Sequence, residues 1–576
     1  MDLSPSAHVD TFCRDRLPPP DQWPELVFDL PELRYPQRLN AAAVLLDGAV
    51  DRLGPDRPCL LSPDETWSYG EVLARANRIA HVLTADLGVV PGNRVLLRGP
   101  NTPWLAACWL AVLKAGAVAV ATMPLLRRRE LDKIVATARP SVALCDERYL
   151  DELPPDVPAV SFGRDLQVRC AAHAATFPDV ATAADDVALL AFTSGTTGRP
   201  KATMHFHRDV LAIADTFSAH VLRPRADDLF TGTPPLAFTF GLGGLLVFPL
   251  HVGASVLLAE RATPAELARV VADRGVSVLF TAPTAYRAIL DAGDGHLLTG
   301  VRRAVSAGET LPADVAVRYR EVVGQSLIDG IGGTEMLHVF ISAADDDARP
   351  GATGRVVPGF RATVVDDDGR PVPDGTPGLL AVRGPTGCRY LDDPRQTDYV
   401  RDGWNRTGDV YLRDEDGYFH YVARSDDMIV SSGYNIAGPE VEELLLTHPD
   451  VVESGVVGAP DPARGAVVTA FVVLRDGVAP TAATARALQD HVKAVGAPYK
   501  YPRRVEFVDA LPRNASGKLL RIALRERAAA GPAATSVRST PCTQQATAIL
   551  RAPAGAGRAA DEPTASTIAP VAEVDA

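Results

Sequence analysis

Short, valine-rich apolar runs recur through the first 350 or so residues, separated by longer segments at helical spacing. "NRVLLRG", "SVALC", "VALLAFT", "ASVLLAE", "VSVLFTAP" and "RRAVSAG" read as strands, and "TPAELARVVADRG" reads as one of the helices between them. Continuous rather than alternating apolar runs belong to strands covered on both faces. Strand and helix in alternation therefore predict an α/β fold of mostly parallel sheets covered by helices. At 576 residues the chain exceeds what one core usually organises, so more than one domain is expected.

The texture changes after about residue 355. "ATVVDDDGRPVPDGTPGLLAVRGP" and "DEDGYFHYVARSDD" place D-G turns between short alternating strands, which predicts hairpins and a small β-rich subdomain. From about 425 a compact α+β unit follows: helix "GPEVEELLLTHP", strands "VVESGVVGAP" and "VVTAFVVLRD", helix "TARALQDHVKAV" and strand "RRVEFVD". The chain then divides into an N-terminal extension, 1–39; a large domain, 40–424; a small C-terminal domain, 425–528; and a tail, 529–576. The tail's Ala/Pro/Thr/Ser/Gly composition predicts disorder.

Composition excludes several classes of function. The balance of 47% hydrophobic and 22% charged residues is globular. A formal net charge of −13 without a Lys/Arg block argues against nucleic acid or an anionic membrane as partner. The seven cysteines are scattered and odd in number, the usage of reduced thiols, and a cytoplasmic location is expected. The N-terminus shows no apolar signal region. "WLAACWLAVLKAGAVAVATMPLL", 104–126, is interrupted by Lys114 and Gly116 and is read as a buried helix handing over to a buried strand, so no membrane insertion is expected.

The stretch "LLAFTSGTTGRPKATMHFHRDVL", 189–211, can be an ordinary turn between a strand and a helix or a holder of something anionic. It lacks the G-x-x-x-x-G-K-[ST] pattern. Its Ser194, Thr196 and Thr197 offer hydroxyls, Gly195 and Gly198 allow close backbone approach, and Lys201 adds a cation, which together suit a triphosphate. "TSGTTGRPKA", "DGIGGTEM" (329–336), "RTGDV" (406–410), "RSDDMIVSSGYNIAGPEVE" (424–442) and "PRNASGKLLR" (512–521) follow in this order. Together they resemble the adenylate-forming superfamily of acyl-CoA synthetases, adenylation domains and luciferases, over roughly residues 40–527. "DGIGGTEMLHVF", "GPTGCRYLDD" and "SSGYNIAGPEVE" resemble its benzoate-CoA ligase branch, and most of all 2-aminobenzoate-CoA ligases.

The resemblance implies ATP and Mg²⁺ as cofactors and CoA as co-substrate, with an aromatic acid made first into acyl-AMP and then into a thioester. It implies that Thr193, Ser194, Gly195, Thr196, Thr197, Gly198 and Lys201 wrap the β- and γ-phosphates. Thr334 would meet the α-phosphate, Glu335 Mg²⁺, and Asp409 and Arg424 the ribose, with Asp329, Ile331 and Gly308 completing the nucleotide site. Ile331 stands where many members stack an aromatic residue on adenine. Lys518 would reach the reacting carboxylate and α-phosphate, Asp426 would be the hinge of a mobile C-terminal domain, and Gly433 would line the thiol tunnel. Phe238, Thr239, Phe240, Gly308, Gly332, His338 and Val339 would form the acyl pocket, a flat slot suited to a ring. A homodimer is compatible with this reading. A benzoate-CoA ligase, a stand-alone aryl-acid adenylation enzyme serving a separate carrier protein, and a non-catalytic nucleotide-binding relative stay open as alternatives.

Overall fold

Two mainly parallel sheets carry the N-terminal two thirds of the chain. The computed structural model describes residues 3–193, 200–431, 434–461, 464–496, 498–514, 517–531 and 537–538. By contact the chain divides at Val537, and the sheets described below lie in the unit Met1–Val537. One sheet runs Ala159–Ser161, Val142–Cys145, Arg94–Arg98, Val118–Thr122, Val187–Thr193, Lys201–Phe206. Its neighbours are parallel except the last pair, an antiparallel hairpin that sets Thr193 opposite Lys201.

The second sheet is parallel from Ile328–Gly332 through Arg303–Ala307, Val278–Thr281, Leu229–Gly232 and Ser255–Leu257 to Pro58–Leu61. Antiparallel strands close both edges. The covered strands are those with continuous apolar runs: Val278–Thr281 and Arg94–Arg98 are buried at every position. "TPAELARVVADRG" forms the helix Pro264–Arg274. Thr263 and Glu266 make a reciprocal cap at its start, and Gly275 ends it in the left-handed region at φ 65°, as only glycine does without strain.

The stretch 104–126 behaves as its sequence predicts. The helix Pro103–Lys114 is capped by Thr102 and is almost wholly buried, and the strand Val118–Thr122 follows it. Lys114, which breaks the apolar run, has no solvent-accessible surface; its Nζ lies 2.5 Å from Asp47 and 2.8 Å from Asp179. A buried ammonium needs such partners, since desolvation otherwise outweighs everything it gains. Among the described residues, no helix is long and apolar enough to cross a membrane.

The β-rich region is antiparallel: Arg361–Val365, Gly378–Arg383 and Trp404–Arg413 in order, with Val400–Arg401 and Phe419–Arg424 also on the long strand. Its D-G turns close as expected, the N–H of Gly369 on Asp366 and that of Gly417 on Asp414. In the C-terminal region Val451–Asp461 and Gly465–Leu474 form a long hairpin, Arg504–Phe507 adds in parallel, and the helices Gly438–Leu446, Ala482–Val495 and Arg521–Ala530 cover the sheet.

One feature departs from the sequence reading, and one goes beyond it. Residues 201–206 form a strand before the helix His207–Ile213, so the patch at 193–201 links two strands rather than a strand and a helix. The N-terminal extension is also built into the body: Asp186 accepts from Ser6 and the N–H of Ala7, and Leu26 bridges Gly384. Lys114→Met should leave two carboxylates facing a neutral side chain. We expect a loss of about 2 to 4 kcal/mol of unfolding free energy in chemical denaturation, less than for a fully buried pair because both acids keep some solvent. A loss under about 0.5 kcal/mol would show that the pair is not needed.

Candidate active site

The second sheet ends its strands at a cavity of about 810 Å³. Gly232, Thr281, Ala307 and Gly332, each at or near the carboxyl end of its strand, line it together with Thr193. This is where open α/β sheets hold their ligands. Phe238, Thr239, Phe240, Gly308, Thr334, His338, Val339 and Lys518 line the same cavity, so residues named from widely spaced motifs converge on one space.

The segment after Gly332 is shaped by close packing. A Cβ on Gly332 would come within 2.6 Å of the carbonyl oxygen of His338, which excludes any side chain there. Thr334–Met336 make one tight turn, and Leu337 then takes φ 67°, a conformation branched and bulky side chains seldom adopt. The turn directs Glu335 to one side and His338 to the other. The Thr334 carbonyl accepts from His205 Nε2 at 2.8 Å.

His338 is buried among Phe248, Phe217 and Phe240, at ring-centre distances of 4.7, 5.2 and 5.8 Å. Neither ring nitrogen has a hydrogen-bond partner of normal geometry. Burial pulls its pKa down to about 3, so the imidazole is neutral at physiological pH. Gly243 makes its room, for a Cβ there would lie 2.4 Å from the ring. An imidazole buried without well-formed hydrogen bonds costs stability, and His338 lines the cavity.

Beyond Thr334, Lys201 Nζ lies 3.3 Å from Glu335 Oε1 and donates to the Tyr390 hydroxyl at 2.6 Å, which donates to the same carboxylate oxygen at 2.6 Å. Arg424 stands directly across the ladder from Asp409 and donates to it at 3.0 Å. Burial raises the Asp409 carboxyl above its ordinary range, with Arg424 opposing. Lys518 is exposed, yet its Cε is 3.8 Å from where a Cβ on Gly308 would stand, and Gly308 has φ 94°. Crowding by surrounding protein lowers the Lys518 pKa, while Glu309 and Asp409 pull it back up.

Asp329 and Ile331 lie on the strand Ile328–Gly332, and Ile331 packs against the main core. Asp426 sits in the turn Ser425–Asp427 between two strands. Ser194, Gly195, Thr196, Thr197, Gly198 and Gly433 lie outside the described residues. Among described residues no group of three or more His, Cys, Asp or Glu could by itself hold a metal ion. Sequence reasoning missed Tyr390 and the hydroxyl pair Thr233–Thr281, 2.6 Å apart in the cavity wall. "GPTGCRYLDD" is in the sequence only a mark of resemblance, with no role given to its tyrosine, and the threonines meet only through sheet pairing.

A profile of the AMP-binding enzyme family matches residues 48–389, and one of the AMP-binding enzyme C-terminal domain matches residues 440–518. The benzoate–CoA ligase of Thauera aromatica is 35% identical over 86% of this chain and 97% of its own. The crystal structure of the anthranilate CoA ligase AuaEII in complex with anthranoyl-AMP superposes with a TM-score of 0.82, at 32% identity over 87% of this chain and 99% of that one. A benzoate CoA ligase from Burkholderia xenovorans LB400 superposes with a TM-score of 0.77, at 31% identity over 84% of this chain and all of that one. The chain belongs to the AMP-binding enzyme family, in the benzoate–CoA ligase branch of the adenylate-forming superfamily.

Asp329 offers a test of the site's electrostatics. Burial pushes its carboxyl up to about 8, the N–H of Gly330 opposing. A carboxyl raised in the folded state contributes fully below its unfolded value near 4, and the contribution falls as pH rises and is gone above about 8. Between pH 5 and 9 the unfolding free energy of the wild type should therefore fall relative to that of Asp329→Asn. Parallel curves would overturn the assignment.

Proposed function

We propose that this ligase activates 2-aminobenzoate, or another 2-substituted benzoate, with ATP and passes the aryl group to CoA. The carboxylate oxygen attacks the α-phosphorus and pyrophosphate leaves; the CoA thiol then attacks the acyl carbonyl and AMP leaves. The observation that carries the reading is a cavity lined at the strand ends by Phe238, Phe240, the glycines at 308 and 332, and a neutral His338 whose ring nitrogens lack well-formed hydrogen bonds. Aromatic walls with one inward polar group suit a ring bearing a hydrogen-bonding substituent. Relatives named for benzoate, 3-hydroxybenzoate and anthranilate support the aryl class.

In this reading Lys201 and the loop 193–198 take the β- and γ-phosphates, Thr334 the α-phosphate, and Asp409 with Arg424 the ribose. Asp329, Ile331 and Gly308 surround the adenine. Glu335 is a buried carboxylate beside that phosphate site, and one carboxylate with phosphate oxygens fits what Mg²⁺ requires. Bound there, Mg²⁺ would offset phosphate charge. Lys518, held against Gly308 at the cavity mouth, meets the negative charge that gathers as the carboxylate attacks. Residues 425–528 act as a mobile domain hinged at Asp426, with Gly433 along the thiol path, following the large domain 40–424 and preceding the tail 529–576. The six cysteines among the described residues are buried and free, which accords with a cytoplasmic enzyme.

The test is a panel of benzoate, 2-aminobenzoate, 2-hydroxybenzoate and phenylacetate with ATP and CoA, read as pyrophosphate release and thioester formation. Pyrophosphate without aryl-CoA would transfer the acceptor role to a carrier protein, and no release with any aryl acid would sink the reading. Lys518→Ala should slow acyl-AMP formation by about 10² to 10⁴-fold and leave thioester formation from supplied acyl-AMP in place. Equal loss in both half-reactions would remove the role given to it.

Thr239 offers a hydroxyl to the ortho group, and a hydroxyl left unpaired costs about 1 to 3 kcal/mol. The enzyme should therefore favour 2-aminobenzoate over benzoate by roughly ten- to a hundredfold in kcat/KM, and Thr239→Ala should erase much of that ratio. An unchanged ratio would pass the reading of the ortho group to His338.

A further inference from the structure

We propose that Tyr390 is a positioning residue for nucleotide uptake: its hydroxyl holds Lys201 and Glu335 as a linked pair, so that the phosphate-binding cation and the metal-binding carboxylate are presented to MgATP together. The inference rests on the roles given above to Lys201 and Glu335. A phenol carries one donor and an acceptor oxygen, and here both are engaged, accepting from Lys201 at 2.6 Å and donating to Glu335 at 2.6 Å. Packing alone does not call for this, since a phenyl ring would fill the same space.

The hydroxyl is held in place by backbone. Residues 389–391 run alongside the strand Lys201–Phe206: the N–H of Met204 donates to Arg389 and that of Leu391 to Ala202, at 2.8 and 2.9 Å. Between them the N–H of Tyr390 donates to Gln396 at 2.8 Å. The ring is 1% exposed, and Tyr399 packs edge-on against it at 5.9 Å. Lys201 sits 4.6 Å from the Tyr390 ring centre, which favours an ammonium there.

Without the hydroxyl, Glu335 loses a neutral donor and Lys201 a neutral acceptor, and the pair, already 3.3 Å apart, loses the group that fixes its geometry. MgATP must engage both groups and would meet a pair no longer held in one arrangement. AMP has neither β- nor γ-phosphate and would need neither group. The hydroxyl therefore acts on triphosphate affinity and not on the nucleoside monophosphate.

The experiment is calorimetric titration of MgATP and of AMP into the full-length protein without any acid. Tyr390→Phe should weaken MgATP by about 10- to 100-fold, the range for a hydrogen bond to a charged group, and should change AMP by no more than about twofold. In a Glu335→Gln background the same change should weaken MgATP by no more than about threefold, since the hydroxyl acts through that carboxylate. Unchanged MgATP affinity, an equal loss for MgATP and AMP, or full additivity with Glu335→Gln would overturn the proposal. Should Tyr390→Phe not fold, 3-fluorotyrosine at position 390 alone retains the ring and alters the hydroxyl; a shift in MgATP affinity with AMP constant supports the proposal, and no shift overturns it. A wild-type protein that binds no MgATP would instead sink the roles of Lys201 and Glu335, an outcome read before any variant is made.

Discussion

The site depends on a buried ion pair that touches no part of the cavity. Arg389 and Asp209 have fully buried side chains and contact each other directly. Asp209 also accepts from the N–H of Phe206 at 3.0 Å, fixing the start of the helix that follows the Lys201 strand, and the Arg389 guanidinium lies 4.0 Å over the Phe206 ring. Charges so deep hold only as a pair, so the strand 201–206 and the segment 389–391 are bound to one another. That junction brings Tyr390 beside Lys201, and the Thr334–Met336 turn brings Glu335 to both. The Lys201–Tyr390–Glu335 cluster thus takes its geometry from a contact between two regions far apart in sequence.

Much of the fold was legible because it is written in local signals. Continuous apolar runs marked the covered strands, Thr263 with Glu266 and Gly275 bracketed a helix, and the D-G turns located the hairpins of the β-rich region. The strand Lys201–Phe206 was not legible, because its identity depends on a partner strand and on Tyr390, both of them tertiary. The sequence marks the N-terminal extension only as residues 1–39, with no structure assigned to it. It is ordered through long-range contacts such as Asp186 with Ser6 and Ala7, which no window of sequence displays.

The residues that line the cavity show the same division. Thr334, Lys518 and the Phe238–Phe240 segment sit in motifs whose glycines and charges stand out, so they were found. Thr233, Thr281 and Tyr390 are ordinary residues made significant by register: the two threonines meet because their strands pair through Gly232 and Phe280. His338 was named for its place after "GGTE", but its neutrality follows from three phenylalanine rings that the chain contributes from elsewhere. A sequence reports which groups are present, while their protonation and mutual reach are properties of the assembled interior.

Lys518 reaches Gly308 from near the end of the folded chain. On a ribosome the strands that build the cavity emerge long before that lysine does. On the roles proposed here, a partly made or prematurely ended chain can shape a nucleotide pocket without the cation that promotes attack on the α-phosphorus. On those roles acyl-AMP forms about 10² to 10⁴-fold more slowly in any molecule not completed past residue 518, so a cell translating this protein makes little of a labile mixed anhydride from its unfinished copies.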